Sequence, residues 1–109
     1  MREAIETDAR WVLELAADLI ERVGWTRQQQ CDSHGRVCAL EAIRETSGNL
    51  GERAAACDLL LEHLGLKKDG SIANWNDQAR SRGVVIRELR AAAREQTILS
   101  PTRAERGLK

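Results

Sequence analysis

The sequence predicts an all-α or nearly all-α single domain, a small bundle of three to four helices. Apolar residues recur at three- and four-residue steps in separate segments, and capping or stop residues bound those segments. Charged residues make up 31% and hydrophobic residues 42% of the 109 residues, enough for one modest core. We assign 1–96 to one helical domain. Residues 97–109 lose the periodicity, contain the only proline and are predicted to form a flexible tail.

The clearest element is a long amphipathic helix over 3–23. Gly24 follows it as a stop residue, and Trp25 is placed to close its end. The predicted buried stripe is Ile5, Ala9, Val12, Ala16, Leu19 and Val23, widened by Trp11, Leu15 and Ile20.

The following segment is polar and lacks a helical period. Asp32-Ser33-His34-Gly35 is a strong turn signal. A minor β-hairpin near 27–38, pairing roughly 28–31 with 36–38, and an irregular loop both fit this pattern.

Three further helices are predicted over 37–46, 49–65 and 82–95. Asn49 and Glu52 have the spacing of a capping box, Gly65 is a stop signal, and Ser81 is the expected cap of the last helix. The buried positions predicted for the second of these helices are Leu50, Ala54, Cys57, Leu60, Leu61 and Leu64; those for the last are Val85, Ile86, Leu89, Ala92 and Ala93.

The connector over 71–77 contains one of the three tryptophans of a chain without Phe or Tyr. In one interpretation it is a structural joint. Ile72 and Trp75 would seal the return of the last helix, while Asn76 and Asp77 would bond the backbone of an otherwise irregular connection. In the other, Trp75, Asn76 and Asp77 form a partner-binding surface.

Charge is balanced overall but not along the chain. Lys+Arg and Asp+Glu are 17 each, yet residues 80–109 hold eight basic and three acidic side chains. Arg87, Arg90 and Arg94 fall within about 60° of one another on the last helix, opposite its apolar face, and are further partner-binding candidates. Such a surface would suit an acidic protein or nucleic-acid phosphates.

Metal binding and catalysis have weaker support. Cys31-x2-His34-x3-Cys38 contains soft ligands at short spacing, which Cys57 or His63 could complete, but it matches no standard zinc motif. Cys38 and Cys57 also fit apolar stripes, where cysteine is a small hydrophobe. There is no Gly-rich phosphate loop and no nucleophile elbow. We therefore expect neither an enzyme nor a cofactor.

Four short motifs point to a family. The chain resembles an uncharacterised family of small helical actinobacterial and actinophage proteins over about residues 10–95, through Gly24-Trp25-Thr26, Asp32-x2-Gly35-Arg36, Cys38-Ala39-Leu40-Glu41-Ala42-Ile43 and Trp75-Asn76-Asp77. Glu41 stands where the family pattern has glycine, and Cys31 and His34 lie outside that pattern. The resemblance implies a mostly helical cytosolic protein and brings no known activity.

The expected function is that of a small non-enzymatic protein-binding or regulatory protein, phage-encoded and acting on a bacterial host protein. The alternative is a nucleic-acid-binding accessory protein that uses the arginine-rich last helix. The N-terminus lacks the apolar core of a signal peptide, and no run approaches the ~20 apolar residues that span a bilayer. A cytoplasmic location without membrane contact is therefore expected, and a homodimer is compatible with the pattern.

Overall fold

Five helices form the fold in a computed structural model that describes residues 2–27, 31–67 and 70–95, with side chains from residue 9 onward. The predicted all-α class is confirmed. The helices are α1 (Arg2–Val23), α2 (Ala39–Thr46), α3 (Leu50–Leu64), α4 (Ile72–Gln78) and α5 (Arg82–Arg94). None of the described helices is long and apolar enough to cross a membrane.

Helix α1 is the centre of the fold, because α5, α3 and α2 all pack against it. Its buried arc is correspondingly wide and consists mostly of small and branched side chains, namely Ala9, Val12, Leu13, Ala16, Ala17, Leu19 and Ile20. The inward face of α5 is the one that the sequence predicts, since Val85, Ile86, Leu89, Ala92 and Ala93 are all buried.

The predicted stripes are wrong at three positions. The Trp11 side chain is 62% exposed and Leu50 is 70% exposed, and Ala54 also faces solvent. Trp11 lies on the outer face of α1 with Asp18, seven residues and about two turns away. Leu13 and Ala17 take its place against the neighbouring helices. The side chain of Ile5 lies outside the described residues.

Side-chain caps set the helix starts. The Cys38 sulfur accepts a hydrogen bond from the Glu41 amide, so α2 begins at Ala39, two residues later than predicted. Asn49 caps α3 through the Glu52 amide at 2.8 Å, and the Glu52 carboxylate accepts from the Gly48 amide at 2.6 Å. The predicted capping box is therefore present, with Gly48 as the second donor.

In the described residues the predicted hairpin is reduced to one antiparallel bridge between Cys31 and Val37, and no strand forms there. The Val37 amide donates to the Gly24 carbonyl and the Thr26 amide donates to the Val37 carbonyl, each at 3.1 Å. Val37 thus pairs in parallel with the chain just after α1, because α2 must return to pack on that helix. Residues 28–30 of the predicted hairpin lie outside the described residues.

The connector over 71–77 is helical, and the prediction of an irregular connection is wrong. The Ser71 hydroxyl accepts from the Asn74 amide at 2.9 Å, which caps the first turn of α4. Ile72 is buried against the core as predicted. Asn76 therefore lies on one face of a helix, and the helical geometry of α4 sets the direction of its side chain.

Candidate partner-binding surfaces

Asn76 is a completely buried polar side chain with 0% exposure. Its Oδ1 atom accepts hydrogen bonds from the Trp25 indole Nε1 at 2.7 Å and from the Ala39 amide at 2.9 Å. Its Nδ2 atom donates to the Thr26 carbonyl at 3.0 Å. Asn76 thus joins α4 to the start of α2 and to the segment after α1, and its amide faces the interior rather than a partner.

Gly24 and Arg27 complete this joint. Gly24 has a φ of 100°, and a Cβ there would lie 2.7 Å from Cγ of Arg36. Only glycine combines this backbone with such a close approach. The Arg27 guanidinium lies 4.9 Å from the centroid of the Trp25 ring. It also donates to the Ala79 carbonyl at 2.7 Å and to the Arg80 carbonyl at 3.1 Å, which holds the end of α4.

Asp32 organises the turn that precedes Val37. Its Oδ1 atom accepts from the His34 and Arg36 amides, each at 3.0 Å, and its Oδ2 atom accepts from Nε of Arg36. Burial by itself would raise the pKa of Asp32, but these hydrogen bonds together hold the pKa below its ordinary value. The turn is therefore a local anion-centred structure that lays the Arg36 chain across Gly24.

The metal-ligand candidates do not converge. Cys31 and His34 are exposed, whereas Cys38 is buried and its sulfur caps α2. In the described part of the chain no three His, Cys, Asp or Glu side chains come together as a metal would require. Burial raises the pKa of the Cys38 and Cys57 thiols, which disfavours the thiolate that metal binding or nucleophilic attack needs.

Two of the three candidate arginines bind α1. Nη2 of Arg90 lies 2.8 Å from Asp18 Oδ1 and 2.7 Å from Glu21 Oε1. Hydrogen bonds to Glu21 and Asp18 raise the pKa of Arg90, and the same contact lowers the pKa of Glu21. Nε of Arg94 lies 2.7 Å from Glu14 Oε2. The acidic N-terminal helix and the basic last helix therefore neutralise each other side by side.

Arg87, the third candidate arginine, pairs with a carboxylate of its own helix. Its side chain is 71% exposed, and its Nε atom lies 3.7 Å from Glu88 Oε2. Glu88 also contacts His63 of α3, at 2.8 Å between Oε1 and Nε2. This leaves Arg87 as an exposed cation beside a carboxylate that already links two helices.

Trp75 lies at the boundary between core and surface. It packs against the buried cluster, yet it also lines an open groove of about 370 Å³ together with Leu66, Ser71, Asn74 and Gln78. Asp77, which is two residues further along α4, is partly buried. Trp75 is therefore the member of the Trp75-Asn76-Asp77 motif whose side chain lines a groove.

The family follows from comparison of the whole domain. A family model matches residues 5–95. The chain belongs to DUF6197, a family of unknown function. Membership of a family of unknown function, which the sequence motifs predict, is thus confirmed, while its motif pattern and source remain predictions. No curated protein and no solved structure matches the chain.

In this DUF6197 member the four motifs share one structural role. Trp25, Thr26 and Ala39 are bonded to Asn76 in one buried joint, and the Asp32 turn leads to Val37, which is bonded to Gly24 and Thr26. The buried residues of these motifs therefore hold α2 and α4 against the segment after α1, whereas Trp75 of the fourth motif also lines the groove.

Sequence patterns miss the groove wall formed by Leu66. This residue follows Gly65, which has a φ of 75°, and its amide donates to the Leu61 carbonyl at 2.9 Å. An apolar residue directly after a glycine stop commonly packs back on its own helix, so the sequence alone does not mark this position as a surface residue. Leu66 nevertheless stays 39% exposed, and that exposure was the signal available only from the structure.

Proposed function

We propose that this protein is a small non-enzymatic binding or regulatory protein whose partner is another protein. The groove between the end of α3 and α4 carries the proposal. A tryptophan and an exposed leucine line it, and polar side chains from α4 form its rim. Aromatic side chains in partly closed apolar grooves are the usual anchors of protein interfaces.

The positions of the charged side chains favour a protein over nucleic acid. Arg90 and Arg94 are engaged by carboxylates of α1, so they add little net positive field for phosphates. On α3, Asp58 and Glu62 line a second groove beside the first. A nucleic-acid strand would meet these carboxylates at the same place as the apolar surface.

Site-specific photo-crosslinking tests the proposal. A photoreactive benzoylphenylalanine replaces Gln78, which is exposed on the groove rim, or Ala54, which is exposed on α3 outside the groove lining. In an actinobacterial lysate, where a bacterial host protein would be present, position 78 should give a discrete covalent adduct with one protein and position 54 should not. Absence of any adduct, or equal adducts from both positions, would refute the proposal.

Salt dependence separates the nucleic-acid alternative. Binding to DNA or RNA that falls steeply with added salt, and that is lost in Arg87→Glu/Arg90→Glu, would replace the protein-partner proposal with the accessory-protein alternative. Under our proposal, no such binding is measured even at low salt.

A further inference from the structure

We infer that the groove receives a basic peptide segment of the partner, which inserts one large apolar side chain between Leu66 and Trp75 and sets an arginine or lysine against Asp58. The inference rests on the proposed protein-binding function and specifies the chemistry of the partner. It is carried by the shape of the groove, by its rigid walls and by the arrangement of charge along it.

The shape is that of an extended groove rather than a closed pocket. The first part, about 370 Å³, lies between Leu66 and Trp75, and the second, about 350 Å³, lies between Leu66 and the Asp58–Glu62 turn of α3. Leu66 is a wall of both, so the two parts adjoin at its side chain. A peptide side chain can occupy the first part while its neighbour along the chain lies in the second.

The walls are held in place before any partner binds. The Gly70 amide donates to the Lys67 carbonyl at 2.7 Å. A Cβ on Gly70 would lie 2.9 Å from that carbonyl and 3.3 Å from Cβ of Leu66, so glycine at position 70 permits this close approach. On the opposite wall, Ser71 caps α4 and so fixes the direction of Trp75. Such preorganisation lowers the ordering cost of binding.

The charged side chains differ between the two parts of the groove. Asp58 and Glu62 are four residues apart on one face of α3 and both line the second part. In the described part of the chain, Asp58 has no ion-pair partner within 4 Å. Lys67 lines the first part and is not in the lining of the second. When a partner residue binds next to Trp75, the carboxylates of the second part lie on its α3 side and attract a cation. This arrangement favours a basic segment of the partner.

Peptide selection followed by NMR tests this assignment. A displayed library of random 12-residue peptides is selected on the immobilised full chain, and enriched peptides are titrated into ¹⁵N-labelled protein. The three indole N–H signals report on different places, since Trp75 lines the groove, Trp25 is bonded to Asn76 and Trp11 lies on the outer face of α1. Enriched peptides should pair a large apolar residue with a neighbouring arginine or lysine and should shift the Trp75 signal.

Substitutions identify the groove as the site. Leu66→Gln should weaken binding of the enriched peptides at least tenfold, while the matched exposed leucine variant Leu50→Gln should leave it unchanged. Asp58→Asn should weaken binding up to about fivefold, as expected for an exposed ion pair, with a smaller effect at high salt. Circular dichroism and melting of each variant check that the fold is retained.

The outcomes separate this inference from the proposed function. Peptides that enrich but shift the Trp11 signal, or that bind Leu66→Gln as well as the wild type, would overturn the groove assignment and leave protein binding in place. Enrichment of acidic peptides would overturn the inferred charge of the partner. Failure to enrich any peptide, together with no crosslinked partner, would remove both.

Discussion

Replacing Asn76 with alanine should destabilise the fold more than any other single polar substitution on α4. The change removes the acceptor for the Trp25 indole and the Ala39 amide, and the donor to the Thr26 carbonyl. Asn76 has no exposed surface, so water cannot simply take the place of its amide.

The magnitude follows from three lost hydrogen bonds. A protein hydrogen bond contributes roughly 0.5–1.5 kcal/mol net, and a buried group left unpaired costs about 1–3 kcal/mol. The Ala39 amide is at the start of α2, where no carbonyl of the same helix can accept from it. We therefore expect the free energy of unfolding to fall by about 3–5 kcal/mol, a large part of the roughly 5–15 kcal/mol typical of a domain.

Urea unfolding followed by tryptophan fluorescence measures the effect. With a slope of about 2 kcal/mol per molar urea, the midpoint should fall by about 2 M while the slope stays constant. Asn74→Ala is the matched control, because Asn74 is exposed on the same helix. That variant should stay within about 0.5 kcal/mol of the wild type.

A double-mutant cycle isolates the indole contact. Trp25→Phe keeps an aromatic ring and removes the indole donor, so its cost and that of Asn76→Ala should be strongly non-additive. The reasoning would be refuted if Asn76→Ala cost less than about 1 kcal/mol, or if the two substitutions were simply additive.

Three further predictions concern the same region. Gly24→Ala should cost about 1–3 kcal/mol in denaturant unfolding, because the φ is positive and a Cβ also meets Arg36. Gly35→Ala carries the same kind of backbone strain, since its φ is also positive, but it has open space around it and should cost less. Asp32→Asn should remove stability that the wild type has at neutral pH. Because the folded-state pKa of Asp32 is lowered, that stability is lost as the pH falls below about 3.8, and the difference in melting temperature between the two proteins should be smaller at pH 3 than at pH 7. For Glu41→Gln the expected pH dependence is reversed. Burial, and then the hydrogen bond with Glu45, raise the pKa of Glu41, so ionisation of this carboxyl costs stability above about pH 4.5. The stability of the variant should therefore rise relative to that of the wild type only above that pH. If either variant differed from the wild type by the same melting-temperature shift at every pH, the direction of the pKa shift assigned to Asp32 or Glu41 would be contradicted.

Local signals account for what sequence patterns predict well. Helices α1, α3 and α5 follow from apolar periodicity and from caps a few residues away, such as Asn49 with Glu52 and Ser81 with the Val84 amide. The turn at Asp32 follows from its own next four residues. These interactions join residues only three or four positions apart, so the order of the residues is enough to predict them.

Long-range packing decided the candidate sites. Arg90 and Arg94 occupy one helix face, as predicted, but their carboxylate partners lie 69 to 80 residues earlier in the chain. Trp11 matches the apolar period of α1 yet faces solvent, because the neighbouring helices cover only the opposite arc. Periodicity identifies a face and does not say how far around the helix the neighbours reach.

The asparagines of α4 show the division between sequence and tertiary structure most clearly. Asn74 and Asn76 stand two residues apart with the same chemistry, and the sequence assigns the bonding of the joint to Asn76 and Asp77 without identifying the groups to which they bond. The turn of α4 points Asn74 to solvent and Asn76 to the interior. There its partners, Trp25, Thr26 and Ala39, lie 37 to 51 positions away. Only the packing of α4 against the start of α2 brings those donors and acceptors within bonding distance, and the same packing leaves Trp75 with one face in the core and one in the groove.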